Sequence, residues 1–430
     1  MTIKESIRGV TRYVVLGGLL AAGAAGCGGQ EQRAAPRLSQ AVYVWQRQWN
    51  DGVRSALREA AGTADALVVL AGEVQWTQGR PQVAKVEVDY AFLKTLPKPV
   101  GVAIRIGEHA GLFSQDEASA HFVEAFAAQV LAAAQSRGLR VAELQLDFDC
   151  AESRLADYAV LIARLKKTVA VPLIITALPC WLNNALFAKL AKSSDGFVLQ
   201  VHSLEKPQSP EQAMTLCDPV KAAAWVEQAG RLGVPFRVAL PTYGYLAAFS
   251  AEGRLLGISA EGPARSWDAQ TRLLSMRADP VGLAKLTRDW SAKRNPNLTG
   301  IIWYRLPVPG DRLNWNWRTL SALMSGRPVV ERVTLRVDYP EPPLAEVTLV
   351  NEGETDVLPR SELELHWSGG RLLGGDGLSG YALERAGEQR ARLNYADSRS
   401  ARVLGAGERC KVAWLRFDRK TEVQVHVEKP

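Results

Sequence analysis

The sequence predicts an α/β fold: a (β/α)8, or TIM, barrel followed by a small all-β sandwich. Three observations carry that reading. Apolar, β-rich runs alternate with helical patterns eight times between residues 41 and 327, and about 290 residues is the size of such a barrel. Beyond Pro328 the helical spacing stops, and apolar and polar residues alternate with period two to the end of the chain. The first strand runs into Trp45-Gln46-Arg47-Gln48-Trp49, where the competing open doubly wound sheet would place a Gly-rich phosphate turn.

Taken in order, the chain opens with a leader. Lys4, Arg8 and Arg12 precede an apolar stretch from Tyr13 to Ala25, which ends in Ala24-Ala25-Gly26-Cys27. That succession describes a secretory signal. Its small residues ending in Gly-Cys resemble the bacterial lipobox, which implies lipidation (palmitate) of Cys27 as the new N-terminus. Several acyl chains give stable membrane anchoring where one does not. An ordinary signal peptide with an incidental cysteine is the alternative. Gly28, rather than Asp, follows Cys27; resemblance to diderm lipoproteins then implies the outer membrane, facing periplasm or cell surface. Residues 1–26 are thus expected to be a lipoprotein signal peptide, 27–40 a polar tether, 41–327 the barrel and 328–430 the sandwich.

Strand one is expected over Val42–Trp49, with its helix opened by an Asn50/Asp51 cap. Strand two covers Ala66–Gly72. An irregular stretch follows to Pro99, with an extra hairpin at Gln82–Val88 as an option. Strand three is Val100–Ile106, followed by a long alanine-rich helix, Ser114–Ser136. Strand four is Leu144–Asp149 with helix Glu152–Thr168, and strand five is Leu173–Leu178 with helix Asn183–Ala191. Strand six is Phe197–His202 with helix Pro219–Leu232. Strand seven is Phe236–Pro241; a long loop leads to helix Pro280–Lys293. Strand eight is Ile301–Arg305, with helix Trp317–Met324. Six short strands are expected in the C-terminal part, from Val333–Val337 to Glu422–Val427.

Composition narrows the function. The chain of 430 residues is 47% hydrophobic and 23% charged, a globular balance. Its net charge of +7 is diffuse, with no basic block, which argues against nucleic acid as partner. After the leader no apolar run reaches the roughly 20 residues of a membrane helix. Four cysteines follow Cys27: Cys150, Cys180, Cys217 and Cys410. Cys150 and Cys180 end neighbouring strands, so a rim disulfide and free thiols are both open. There is no CxxC, the histidines are isolated, and no G-x-S-x-G elbow occurs. Neither a metal nor an organic cofactor is implied.

Barrel active sites lie at the C-terminal ends of the strands. Strand four is the sharpest candidate: Glu143-Leu144-Gln145-Leu146-Asp147-Phe148-Asp149. Side chains alternate along a strand, so Gln145, Asp147 and Asp149 share one face. Polar groups pointing into a barrel are costly unless paired or functional. Adjacent carboxylates repel, which raises a pKa and keeps a proton at hand, as a general acid for glycoside cleavage requires. The plainer alternative has one Asp capping the next helix and the other bonding backbone.

This strand resembles the family 18 glycoside hydrolases, the chitinase group, with their Asp-x-x-Asp-x-Asp-x-Glu motif. The resemblance puts Asp149 at the acid Glu and Asp147 at the Asp beside it, and Gln145 replaces the earlier Asp. Leu240-Pro241-Thr242-Tyr243-Gly244-Tyr245 looks like the family's Pro-x-Tyr-Gly segment, and Ile301-Ile302-Trp303-Tyr304 like its Trp-bearing last strand. The resemblance implies a role for Tyr243 beside Asp147. Asp149 is one methylene shorter than Glu, and Gln145 lacks a charge, so both depart from the pattern. The chain also resembles an uncharacterised bacterial lipoprotein family, domain of unknown function 3142. The similarity covers roughly residues 40–310 and rests on Trp45-Gln46-Arg47-x-Trp49, Leu146-Asp147-Phe148-Asp149, Tyr158 and Thr176-Ala177-Leu178-x-x-Trp181. That family implies the barrel and no established reaction.

Around the same rim, Arg47, Glu73 and Arg105 end strands one to three, with Glu108 just beyond. Such groups suit hydroxyl-rich or anionic substrates, or form structural ion pairs, Arg47–Glu73 or Arg105–Asp147. His202 ends strand six, as a second acid/base or as a structural residue. Trp45, Trp49, Trp76, Trp181, Trp303 and Tyr243 lie at or past strand ends, where aromatics stack on sugars or plug the mouth. The expected function is a surface-anchored glycoside hydrolase acting on a poly- or oligosaccharide. Asp149, Asp147 and Tyr243 would be catalytic. Trp45, Arg47, Glu73, Arg105, Trp181, His202 and Trp303 would bind substrate. The alternative is a non-catalytic glycan-binding or scaffold lipoprotein on a degenerate glycosidase barrel; an esterase or amidase ranks below both.

Overall fold

The computed structural model describes residues 37–427, apart from 203–206, 208, 213–214, 260–266, 269, 358–361 and 396–402. The leader, Cys27 and most of the expected tether lie outside the described residues. Up to residue 304 the strands are β1 (Ser39–Val44), β2 (Ala66–Thr77), β3 (Arg80–Lys85), β4 (Val100–Ile106), β5 (Val141–Phe148), β6 (Leu173–Ala177), β7 (Gly196–Gln200), β8 (Phe236–Pro241), β9 (Gly244–Phe249), β10 (Leu255–Ser259), β11 (Arg272–Arg277) and β12 (Leu298–Tyr304). Among the described residues eight of them run parallel in the order β1-β12-β8-β7-β6-β5-β4-β2. The ring closes because β1 pairs on both sides, Ser39 opposite Gly300 and Ala41 opposite Ala66. This is the predicted barrel.

The helices that alternate with these strands are α1 (Asp51–Ala60), α2 (Tyr90–Leu93), α3 (Glu117–Ser136), α4 (Leu155–Thr168), α5 (Ala185–Ser193), α6 (Pro219–Gly230), α7 (Pro280–Ala292) and α8 (Trp317–Met324). Most begin on one device, a short polar side chain accepting a first-turn amide: Asn50 from Val53, Asp116 from Ser119, Asp218 from Val220 and Asn316 from Thr319. Proline in the first turn of α6 and α7 needs no hydrogen-bond acceptor there. Two apolar layers result. Leu144, Leu146 and Phe148 of β5 join the layer between strands and helices, whereas Tyr43, Leu70, Ala103, Ile174, Val198, Ala239 and Ile302 fill the lumen.

The lumen also holds a polar chain. The Arg237 guanidinium meets Glu143 at 2.7 Å, Gln145 Nε2 donates to the same carboxylate at 2.6 Å, and the Tyr43 hydroxyl donates to Gln145 Oε1 at 2.6 Å. Gln145 is fully buried, and these bonds offset its desolvation.

Three local departures from the expected elements have physical causes. β1 begins at Ser39 and leaves the sheet after Val44, so the last residues of the expected tether are barrel strand and Trp45–Trp49 form a loop at the mouth. β2 continues past Gly72 to Thr77 and turns back into β3 through Gln78 and Gly79, both at positive φ, as a tight hairpin requires. The polar residues of this exposed arm hide its strand character. The loop after β8 is a three-stranded antiparallel sheet, β10-β9-β11, around Ala247, Phe249 and Met276; its short runs are broken by Gly and charged residues.

Eight further strands follow: β13 (Val333–Asp338), β14 (Leu344–Asn351), β15 (Glu362–Ser368), β16 (Leu372–Gly377), β17 (Tyr381–Arg385), β18 (Arg390–Tyr395), β19 (Arg409–Phe417) and β20 (Glu422–Val427). They form two antiparallel sheets, β13-β14-β19-β16 and β17-β18-β15-β20. The sheets enclose Val347, Leu349, Leu363, Leu365, Trp367, Leu415 and Phe417. The glycine-rich β16 and the short β17 are absent from the period-two reading. Arg277 of β11 pairs with Asp356 at 2.8 Å, and Asn316 Nδ2 donates to the Ala406 carbonyl at 2.9 Å. Among the described residues no helix is long and apolar enough to cross a membrane.

The seam of the ring is sterically tight, because a Cβ on Gly300 would lie 2.6 Å from the Ser39 carbonyl oxygen. Gly300→Ala is expected to destabilise the chain by about 1–3 kcal/mol, read from chemical denaturation. An unchanged midpoint would show that the seam can relax.

Candidate active site

A cavity of about 1150 Å³ opens at the C-terminal ends of the barrel strands. The side chains that turn inward at those ends make its floor. Asp147 and Asp149 both reach it from β5, as their two-residue spacing requires. Asp147 is deep, only 8% exposed. Its Oδ1 accepts hydrogen bonds from Thr176 Oγ1 and Gln200 Nε2, both at 3.0 Å, and its Oδ2 lies 3.8 Å from Arg105 Nε. Asp149 sits one residue past the strand end, in contact with solvent.

The electrostatics follow from that placement. Desolvation, reinforced by the nearby charge of Asp149, pushes the Asp147 pKa up to about 6, against the opposing pull of Arg105, Thr176 and Gln200. Solvent reaches Asp149, yet the crowded mouth still desolvates its carboxyl and raises its pKa, again opposed by Arg105. The two acids therefore titrate as a pair and retain a proton at mildly acidic pH.

Aromatic residues face them. The Tyr304 ring lies 5.5 Å from each of Trp45, Tyr243 and His202, and is stacked on His202. His202 Nδ1 is 3.1 Å from the Tyr243 hydroxyl. Burial pushes the His202 pKa down to about 4, so the ring is neutral near pH 7 and orients its neighbours rather than delivering a proton. Tyr245 of β9 with Ile258 and Ser259 of β10 also line the cavity, so the inserted sheet forms one wall.

Several expected site residues are elsewhere. Trp303 is fully buried in the layer between strands and helices, where its Nε1 donates to Gln40 Oε1 at 2.8 Å. Alternation along β12 turns Ile302 and Tyr304 inward and Trp303 outward, so Tyr304 takes the place assigned to it. Trp181 is also fully buried, packed on Phe187 from the 3-10 turn Pro179–Asn183. Glu73 is 4% exposed and is not on the cavity wall; it accepts from Arg47 Nε at 2.8 Å. Arg47 itself is on the wall, as are Trp45, Arg105, His202 and Tyr243. Both ion pairs raised as alternatives, Arg47–Glu73 and Arg105–Asp147, are present. Trp76 donates to Ser119 and packs at a tilt on His109, and it is not on the cavity wall. Cys150 and Cys180 are free thiols. Sequence reasoning missed Thr176, Gln200, Tyr43 and Tyr304. The signal was available: each is a polar or aromatic residue at an inward-facing position of an otherwise apolar strand.

Among the described residues no cluster of three His, Cys, Asp or Glu side chains is placed to hold a metal ion. The arrangement offers proton transfer by paired carboxyls and apolar faces for a flat ligand.

A folded-state pKa of about 6 for Asp147, against an ordinary 3.8, means that the folded chain binds this proton more tightly than the unfolded chain. Stability from this group is full below about pH 3.8 and falls as pH rises to about 6. Asp147→Asn keeps an acceptor for Thr176 and Gln200 and removes that loss. It is expected to gain up to about 3 kcal/mol relative to wild type at pH 8, with no gain at pH 3.5. Parallel denaturation curves at the two pH values test this; a gain independent of pH would contradict it. Trp181→Ala and Trp303→Ala are expected to cost about 3–5 kcal/mol each through the cavities they leave, with little change in the ligand affinity of the folded fraction.

No curated protein matches the chain. Solved structures that are similar include a chitinase from Chromobacterium violaceum, 16% identical with TM-score 0.44, covering 67% of this chain and 98% of that one. The Bacillus cereus spore cortex-lytic enzyme SleL is 13% identical with TM-score 0.46, covering 68% of this chain and 74% of that one. Chitinase ChiA74 from Bacillus thuringiensis is 10% identical with TM-score 0.43, covering 90% of this chain and 100% of that one. Within the sequence, residues 97–309, from just before β4 to just past β12, match the family described as "Domain of unknown function (DUF3142)".

Proposed function

We propose that this chain is a glycoside-hydrolase-like lipoprotein, tethered through Cys27 at the outer membrane, that binds a poly- or oligosaccharide and cleaves a glycosidic bond. One observation carries the reading: two carboxyls from a single strand share an open, aromatic-floored cavity, and both hold their protons more tightly than ordinary aspartates. Asp149, at the mouth, protonates the departing glycosidic oxygen, and a water then bonds the anomeric carbon and returns a proton to the Asp149 carboxylate. Asp147, fixed by Thr176 and Gln200, supplies the second carboxyl and faces the developing positive charge of the sugar ring. Tyr304, backed by His202, and the edge of the largely buried Trp45 floor the space for a sugar, and Tyr243, held by His202, orients the substrate.

The test is a panel of oligosaccharides assayed with wild type, Asp149→Asn and Asp147→Asn. Asp149→Asn is expected to lower kcat by about 10²–10⁴-fold and to leave KM within a few fold. Wild-type activity is expected to decline as pH rises out of the acidic range, because both carboxyls hold raised proton affinities and lose their protons there. Binding without turnover, unchanged in Asp149→Asn, would sink the hydrolase and leave a glycan-binding lipoprotein on the same cavity.

A further inference from the structure

We propose that the ligand is an acidic glycan, and that Arg105, with Arg47 beside it, receives a carboxylate carried by a sugar next to the paired acids. This rests on the glycan reading above and adds the substrate's charge to it.

The cavity is polarised. Around the ring the order is β1, β2, β4, β5, so the loop after β1 and the end of β4 bound one sector, and the acids on β5 begin the next. Arg47 and Arg105 project from that first sector onto the cavity wall, with side chains 68% and 44% exposed. The N-terminal end of α1, at Asn50 and Val53, borders the same sector, its Val53 amide capped by Asn50. The other arginine on the wall, Arg305, is committed differently: it is 7% exposed and paired with Asp311 at 3.2 Å.

The fold uses only part of the capacity of Arg105. Its one ion pair, with Asp147, is long at 3.8 Å, and among the described residues it donates no hydrogen bond. A guanidinium carries five donors in a planar fork matched to a carboxylate, and here the fork faces open cavity. The position also works against acid chemistry, since the cation draws protons off both aspartates. A carboxylate on the ligand resolves the conflict. It engages the guanidinium, neutralises its pull, and lets the pair hold the proton more firmly when substrate is in place. Arg47 stands on the same wall, held through Nε by buried Glu73 at 2.8 Å.

The experiment is binding of hexuronate oligosaccharides to the full mature chain by calorimetry at low and moderate salt, each compared with its methyl ester. The ester keeps the ring and removes the charge. The acid form is expected to bind at least tenfold tighter, with the preference shrinking as salt rises. Arg105→Ala is expected to abolish the preference and Arg105→Lys to restore part of it. Equal binding of acid and ester, or a preference that survives Arg105→Ala, overturns the proposal. So does tighter binding of a sulfated than of a carboxylated oligosaccharide, which would assign the arginines to sulfate. If neutral chito-oligosaccharides bind and hexuronates do not, this inference falls and the glycan reading stands. If no glycan of either kind binds, both fall.

Discussion

The cavity depends on the two-residue alternation of β5 inside a closed ring. With no free edge, every second residue of that strand must enter the lumen, and here those residues are Glu143, Gln145, Asp147 and, just past the end, Asp149. An apolar lumen would not tolerate four such groups. The fold accommodates them by level. At the bottom Arg237 neutralises Glu143; in the middle Gln145 bridges Glu143 and Tyr43; near the top Thr176 and Gln200 hold Asp147. At the last level solvent replaces the protein partner. Polarity thus rises along one strand from a sealed network to an open site.

That gradient explains why much of the fold and part of the site were legible in the residues. Period-two alternation identified β5 and placed Asp147 and Asp149 on one face, and the shift in period near Pro328 marked the change from helices to sheets. The same rule was available for Trp303 and was overridden by its resemblance to a sugar-stacking tryptophan. Parity sends it outward, where Gln40 satisfies its indole nitrogen. Trp181 was misplaced for another reason: it follows the strand in a 3-10 turn, where alternation no longer applies and the chain folds back onto α5. The inserted sheet was invisible because β9 to β11 owe their stability to one another, around Phe249 and Met276, rather than to strong patterns of their own.

Asp147 illustrates how the site and the fold pull in opposite directions. A desolvated carboxyl next to a second one weakens the folded state at neutral pH, and a neutral residue of the same shape would pack there more favourably. Displaced proton affinities of this kind occur in structural charge networks as well as at reactive sites. Arg105 beside the same carboxyls offsets part of that cost, because its charge favours their ionised forms.

The ion pair between Arg277 and Asp356 gives the C-terminal sheets a mechanical meaning. Arg277 ends β11, whose sheet walls the cavity, and it also reaches the Arg312 carbonyl, while Asp356 belongs to the sandwich. Both side chains are largely buried, 21% and 13% exposed, so removing either strands a charge. The sandwich is therefore tied to the barrel through the inserted sheet: the buried charge of Asp356 fixes the end of β11, which pairs with β9, and residues of β9 and β10 line the cavity.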